Sequence, residues 1–233
     1  MKTLKLSLLA VVGVLAMSSA AYAQDEGGLK PAFNIGAASD YVFRGYSQTL
    51  EDPQVFGGAD LAIGQFYVGA WVSNVDFGNG TDAEYDLYAG FKPVLGAVTL
   101  DFAAIRYGYA GSPSKSGQDY WEIKAAASVP AGPATFGVAM YYSPDFFGAA
   151  NGDDAIYYEA NAAVAIPETK FSVSGALGRQ VTKPVYGPDY TTWNAGVGFA
   201  ITDHVGVDLR YHDTNIAGTL SDGRVVVGLK ATF

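Results

Sequence analysis

Glu84-Tyr85-Asp86-Leu87-Tyr88-Ala89-Gly90-Phe91-Lys92 decides the fold of this chain. Side chains of an extended strand alternate between its two faces. Tyr85, Leu87, Ala89 and Phe91 therefore share one face, and Glu84, Asp86, Tyr88, Gly90 and Lys92 share the other. The first face is apolar, while the second carries charge at three of its five positions. A strand with hydrocarbon on one side and water on the other requires this pattern.

The same period recurs along the chain. At the end, Val225, Val227, Leu229, Ala231 and Phe233 oppose Arg224, Gly228, Lys230 and Thr232. Twelve such segments begin near Ala32, Gln54, Phe66, Glu84, Val98, Trp121, Ala134, Ile156, Phe171, Trp193, Val205 and Arg224. The first is read from Ala32 to Phe43, with Phe33, Ile35, Ala37, Tyr41 and Phe43 facing one way. In the fifth the alternation slips around Ile105-Arg106-Tyr107, which reads as a bulge.

The links alternate in length. Short ones lie at Gly64-Gln65, Pro93 to Gly96, Pro130 to Pro133, Pro167-Glu168-Thr169 and Thr202-Asp203. Long ones are Arg44 to Pro53, Phe77 to Thr81, Gly108 to Gln118, Ser143 to Asp154, Arg179 to Asp189 and Asp213 to Gly223. Tilted strands of about 9 to 11 residues, joined by tight turns on one side and loops on the other, make an all-β transmembrane antiparallel up-and-down barrel of about twelve strands.

The aromatic residues fall at two levels. Phe33, Phe66, Phe91, Phe136, Phe171, Phe199 and Phe233 sit at the short-turn ends; Tyr41, Tyr85, Tyr107, Tyr120, Trp121, Tyr142, Tyr158, Tyr190 and Tyr211 sit near the long loops. Two girdles mark the two water boundaries of a bilayer. A soluble sandwich with an aromatic core is the competing fold, but its strands would expose continuous apolar faces to water.

Residues 1–23 read as a secretory signal, with Lys2 and Lys5, an apolar run from Leu6 to Met17, and a cleavage site at Ala21-Tyr22-Ala23. The mature chain, one domain of residues 24–233, then starts at Gln24. The apolar run is too short to span a bilayer. The chain of 233 residues has no cysteine, so disulfides do not hold the fold. Without Lys2 and Lys5, 12 basic residues face 23 acidic ones, a net charge of −11 that disfavours a nucleic-acid partner. Much of the excess lies in the long loops, where it either solvates them or gathers cations at a pore mouth.

Ser39-Asp40-Tyr41-Val42-Phe43-Arg44-Gly45-Tyr46-Ser47-Gln48-Thr49 resembles the N-terminal signature of the TorF-type porin family of proteobacterial outer-membrane proteins. Val68-Gly69-Ala70-Trp71-Val72-Ser73-Asn74-Val75 and Glu84 to Phe91 are similar to that family as well, and the terminal Phe233 is similar to the assembly signal of outer-membrane proteins. The resemblance implies an outer-membrane location and a channel, with barrel-assembly machinery, outer-membrane lipid and lipopolysaccharide as partners.

The lumen-facing charges in this reading are Asp40, Asp60, Glu84, Asp86, Asp101, Glu122, Glu159 and Asp208 against Lys92, Lys124, Arg210, Arg224 and Lys230. Eight acids to five bases predict a mild cation preference for small hydrophilic solutes or ions in a passive channel. Alternatively, these charges pair and plug a narrow barrel. Arg44 is either a constriction residue or a loop anchor that pairs with a carboxylate such as Asp40. Tyr46, Trp71 and Tyr88 either stack a sugar-like or nucleoside-like solute or pack the lumen.

Catalysis is not expected. The two histidines are His204, at a short turn, and His212, beside Asp213, and no Gly-x-Ser-x-Gly elbow accompanies them. Asn151-Gly152-Asp153-Asp154 lacks the spacing and closing Glu of a calcium loop, so no metal and no cofactor are expected. A structural or adhesive barrel that does not conduct is the remaining alternative.

Overall fold

A computed structural model describes residues 28–111, 117–148, 153–183 and 187–233. The signal segment, the start at Gln24, and Asn151 and Gly152 of the acidic turn lie outside the described residues. Twelve strands form the wall: β1 (Lys30–Ala38), β4 (Gln54–Ile63), β5 (Phe66–Asn74), β6 (Ala83–Phe91), β8 (Val98–Ala110), β9 (Tyr120–Ala131), β10 (Ala134–Ser143), β11 (Ala155–Ala165), β12 (Phe171–Thr182), β13 (Tyr190–Ala200), β14 (Val205–Thr214) and β15 (Arg224–Thr232). Three short elements lie outside this count: β2 (Val42–Phe43), β3 (Tyr46–Ser47) and β7 (Val94–Leu95). Each wall strand pairs antiparallel with its neighbour in the chain, and β1 closes the ring on β15, with Ala37 opposite Leu229. Closure leaves no sheet edge, which a barrel in hydrocarbon requires.

Two-residue turns fix the register at the short-turn end. At β4–β5, Gly64 adopts φ +57°, and at β9–β10, Gly132 adopts φ +62°, the left-handed region that tight hairpins need. The outer face is apolar along its length: Phe33, Ile35, Val68, Leu87, Val138, Leu177, Leu209 and Val227 are exposed, Leu87 by 53%. Outward phenylalanines pair at the short-turn end, Phe66 with Phe91 at 4.8 Å and Phe171 with Phe199 at 4.9 Å between ring centres.

The structure corrects the strand reading in three places. The first strand ends at Ala38, not Phe43, and the chain then turns into the lumen, where Tyr41 and Val42 are buried. The β6–β8 ladder runs without interruption from Ala83↔Ala110 to Phe91↔Phe102, so Ile105-Arg106-Tyr107 holds no bulge. Ile105 and Tyr107 point inward and are buried, while Arg106 points outward to Asp119 at 3.0 Å. The upper girdle loses four members: Tyr41, Tyr107, Tyr120 and Tyr190 are buried inside, whereas Tyr85, Trp121, Tyr142, Tyr158 and Tyr211 remain exposed outside. One cause explains all three: the inward chain fills the upper lumen with protein, so apolar and aromatic side chains on the inner face meet packing partners instead of water.

Candidate functional site

The segment between β1 and β4 is a hairpin inserted into the barrel. β2 and β3 pair as Val42↔Ser47 and Phe43↔Tyr46, leaving Arg44-Gly45 as a two-residue tip. Both tip residues have positive φ, 49° at Arg44 and 89° at Gly45, as a primed turn demands. Glycine accepts that conformation freely, and Gly45 also lies against the Thr192 and Thr214 side chains, where a Cβ would clash.

Arg44 at this tip reaches the opposite wall. Its guanidinium donates to Glu122 on β9 through two bonds, 2.8 Å to Oε1 and 2.7 Å to Oε2, and to Gln180 on β12 at 3.3 Å. The group stacks 4.4 Å from the Tyr157 ring and 5.0 Å from that of Tyr141. Paired parallel bonds of this kind are the strong arginine–carboxylate geometry. Burial is the largest single influence and opposes the Arg44 charge, but the charge of Glu122, the bonds to it and the nearby Tyr107 and Tyr120 together outweigh burial and raise the guanidinium above its ordinary pKa. Asp40, the partner expected for Arg44, instead accepts from Arg224 at 2.9 Å, Ser47 at 2.7 Å and Thr49 at 2.9 Å. Asp40 thus holds the root of the hairpin and Glu122 holds its tip.

Aromatic packing completes the plug. Tyr41 donates to Glu84 at 2.6 Å and packs edge-on against Trp71, with ring centres 5.5 Å apart. Burial, and then the charges of Glu84 and Asp86, push the Tyr41 hydroxyl well above its ordinary pKa. Phe43 meets Tyr107 at 6.0 Å, Tyr107 stacks on Tyr120 at 4.5 Å, and Tyr46 meets Tyr190 edge-on at 5.3 Å.

A chamber of about 680 Å³ extends from this plug to the short-turn end. Asp101 accepts from Lys124 at 2.7 Å and from the Tyr67 hydroxyl at 2.7 Å, with Lys92 at 3.7 Å. Asp60 accepts from Tyr88 at 2.7 Å. Glu159 accepts from Asn161 at 2.9 Å and Tyr157 at 3.2 Å. Arg210 donates to Asp208 at 2.9 Å, Asn194 at 2.6 Å and Ser174 at 2.7 Å. Lys230 lines the chamber from β15. Trp71 and Tyr88, considered for solute stacking, pack against Tyr41 and Phe56 and against Tyr67 respectively.

The charges thus divide by level. In the lower lumen Asp101 pairs with Lys124 and Lys92 and Asp208 pairs with Arg210, whereas above it Asp40 and Glu122 are taken by Arg224 and Arg44. Asp60, Glu84, Asp86 and Glu159 remain, and no lysine or arginine forms an ion pair with any of them among the described residues. His212 and Asp213 do not form an acid–base pair. His212 lines the chamber, and Asp213, on the other face, accepts from Tyr211 at 2.9 Å. His204 instead lies at the barrel end, 2.9 Å from the Thr232 carbonyl.

Glu122 and Gln180 as partners of Arg44 were not legible in the sequence, being 78 and 136 residues away. One signal was present: an apolar Ile105 on a face expected to meet water.

A family model described as "Bacterial protein of unknown function (Gcw_chp)" matches residues 22–233. The chain belongs to this family. No curated protein matches it. Among solved structures, the KdgM porin is similar with a TM-score of 0.62 and 6% identity, over 87% of this chain and 99% of that one. The NanC porin gives 0.59 and 8%, over 86% and 98%. The COG4313 outer membrane channel from Pseudomonas putida F1 gives 0.53 and 9%, over 90% and 96%. At these identities the likeness shows a shared barrel fold.

Proposed function

We propose that this chain is an outer-membrane porin, a passive channel for small hydrophilic solutes or ions, narrowed by the hairpin that carries Arg44. The observation that carries the reading is a closed twelve-stranded barrel whose apolar exterior surrounds a polar chamber of about 680 Å³. The shared fold with porins supports it, as does the fact that one structure of this fold is a KdgM porin in complex with disordered oligogalacturonate. Transport involves no covalent step: lumen side chains replace part of a solute's hydration. In this reading Arg44 is both constriction and loop anchor, and Asp40, Asp60, Asp101, Glu122, Glu159, Asp208, Lys92, Lys124, Arg210, Arg224 and Lys230 set the polarity of the path. Asp60, Glu84, Asp86 and Glu159, the lumen acids without an ion pair among the described residues, give it a mild cation preference.

The same reading has the chain exported by a signal cleaved after Ala23, folded by the barrel-assembly machinery through its C-terminal strand, and seated among lipopolysaccharide as a TorF-type porin. A non-conducting structural or adhesive barrel is the second reading, favoured by the hairpin across the lumen. The test is conductance of the refolded chain from Gln24 in a planar bilayer under a salt gradient. Discrete steps with a cation-directed reversal potential are expected. A folded, heat-modifiable barrel that passes no current would replace the channel with the second reading.

A further inference from the structure

Asp101, Ala126, Ala139 and Glu159 stand side by side on the inner face of four consecutive strands, β8 to β11. Strand spacings of about 4.8 Å put the two acidic residues about 14 Å apart along the wall, with only two methyl groups between them. The neighbouring inner rows frame this gap. Lys124 and Tyr141 lie on its long-loop side, Ser128 and Gly137 lie on its short-turn side, and the Asn161 side chain leans over Gly137, where a Cβ would meet it. Each of these residues lines the chamber, so the gap is a recess open to the lumen.

The recess carries excess charge of opposite sign at its two ends. At the β8 end, Lys124 and Lys92 share the one carboxylate of Asp101, at 2.7 and 3.7 Å, which leaves one positive charge in surplus. At the β11 end, Glu159 accepts from Asn161 and Tyr157 but has no ion pair among the described residues, which leaves one negative charge. Arg44, above the recess, is already matched by Glu122. The groups have surface to offer: the Lys92 and Lys124 side chains are 18% and 19% exposed, and Glu159 is half-buried. An ammonium has three donors, and a carboxylate held by neutral donors keeps room to accept more. A simple cation or anion matches one end and is repelled by the other, whereas a solute with both charges matches both. We propose that this recess binds a small zwitterion, an α-amino acid, with its carboxylate toward Lys124 and Lys92 and its ammonium toward Glu159. Ala126 and Ala139 form the floor that leaves it space. The site rests on the channel reading as to how a solute arrives, but its binding equilibrium is measurable without current.

The experiment is saturation-transfer NMR on the refolded barrel in a non-ionic detergent, titrated with L-alanine, with L-alaninamide, which lacks the negative charge, and with propionate, which lacks the positive one. Alanine should bind saturably and about tenfold more tightly than either. Glu159→Gln should cancel the preference for alanine over propionate, and Lys124→Met should cancel the preference over alaninamide. A merely structural role would not move the two preferences separately, and each variant serves where the other fails to refold. Equal affinity for the three solutes, no saturable binding of alanine, or preferences unchanged in the variants would overturn the proposal. Alanine binding without conductance would remove the channel and keep the site; conductance without alanine binding would do the reverse.

Discussion

At the scale of single residues, Arg44 has the largest structural consequence. It sits at φ 49°, a conformation that costs a residue with a Cβ, and that cost is met by two bonds to Glu122 and contacts with the Tyr141 and Tyr157 rings. Both side chains are buried, 6% and 1% exposed. Removing one partner of such a pair leaves a buried charge unmatched, at a cost of about 3 to 5 kcal/mol. Arg44→Ala should therefore lower the heat-modification midpoint and raise single-channel conductance together. Adding Glu122→Gln should restore part of the stability and leave the conductance high, because the orphaned charge is gone while the hairpin stays untethered. A stable Arg44→Ala protein with unchanged conductance would mean that the pair does not hold the plug. The motif containing Arg44 was visible in the sequence, but its partner was not: nothing local distinguishes Glu122 from the other lumen acids.

At the scale of elements, alternation within each strand decides what a substitution does. Leu87 and Asp86 are adjacent in sequence and opposite in environment, one 53% exposed on the outer face and the other 3% exposed within the barrel. Leu87→Arg places a charge in hydrocarbon and should cost about 2 to 4 kcal/mol, read as impaired assembly into vesicles. Asp86→Asn removes an uncompensated charge and keeps the shape, so assembly should persist while the reversal potential shifts away from cations. Equal damage from both would refute the assignment of faces. The inner face has its own device, glycine opposite tyrosine. Tyr88 lies across Gly69, Tyr67 across Gly90 and Tyr157 across Gly178, where a Cβ would clash with the ring in each case. Glycine here makes room for a neighbour's ring, a pairing that stabilises glycine within a sheet.

At the scale of the whole molecule, the barrel and its plug are separable in principle. Register sets Ala38 opposite Gln54, so the wall reaches the point where the hairpin leaves with its two ends already adjacent. Replacing residues 39–53 with Asn-Gly should close this gap as a tight turn. The shortened chain should still refold to a heat-modifiable barrel, and its conductance should exceed that of the full chain; an unchanged conductance would mean that another segment closes the lumen. By itself the sequence determined the all-β class, the twelve wall strands, the outward faces and the short turns, because each follows from a period of two and from turn residues acting over a few positions. Only the tertiary structure decided that the first long link folds inward, that Tyr41, Tyr107, Tyr120 and Tyr190 belong to the interior, and that Asp40 and Glu122 pair with arginines while Glu84 and Asp86 do not. These outcomes depend on which residues meet across a closed ring, at separations of 78 residues for Arg44 and Glu122 and 184 for Asp40 and Arg224, where no local period carries information.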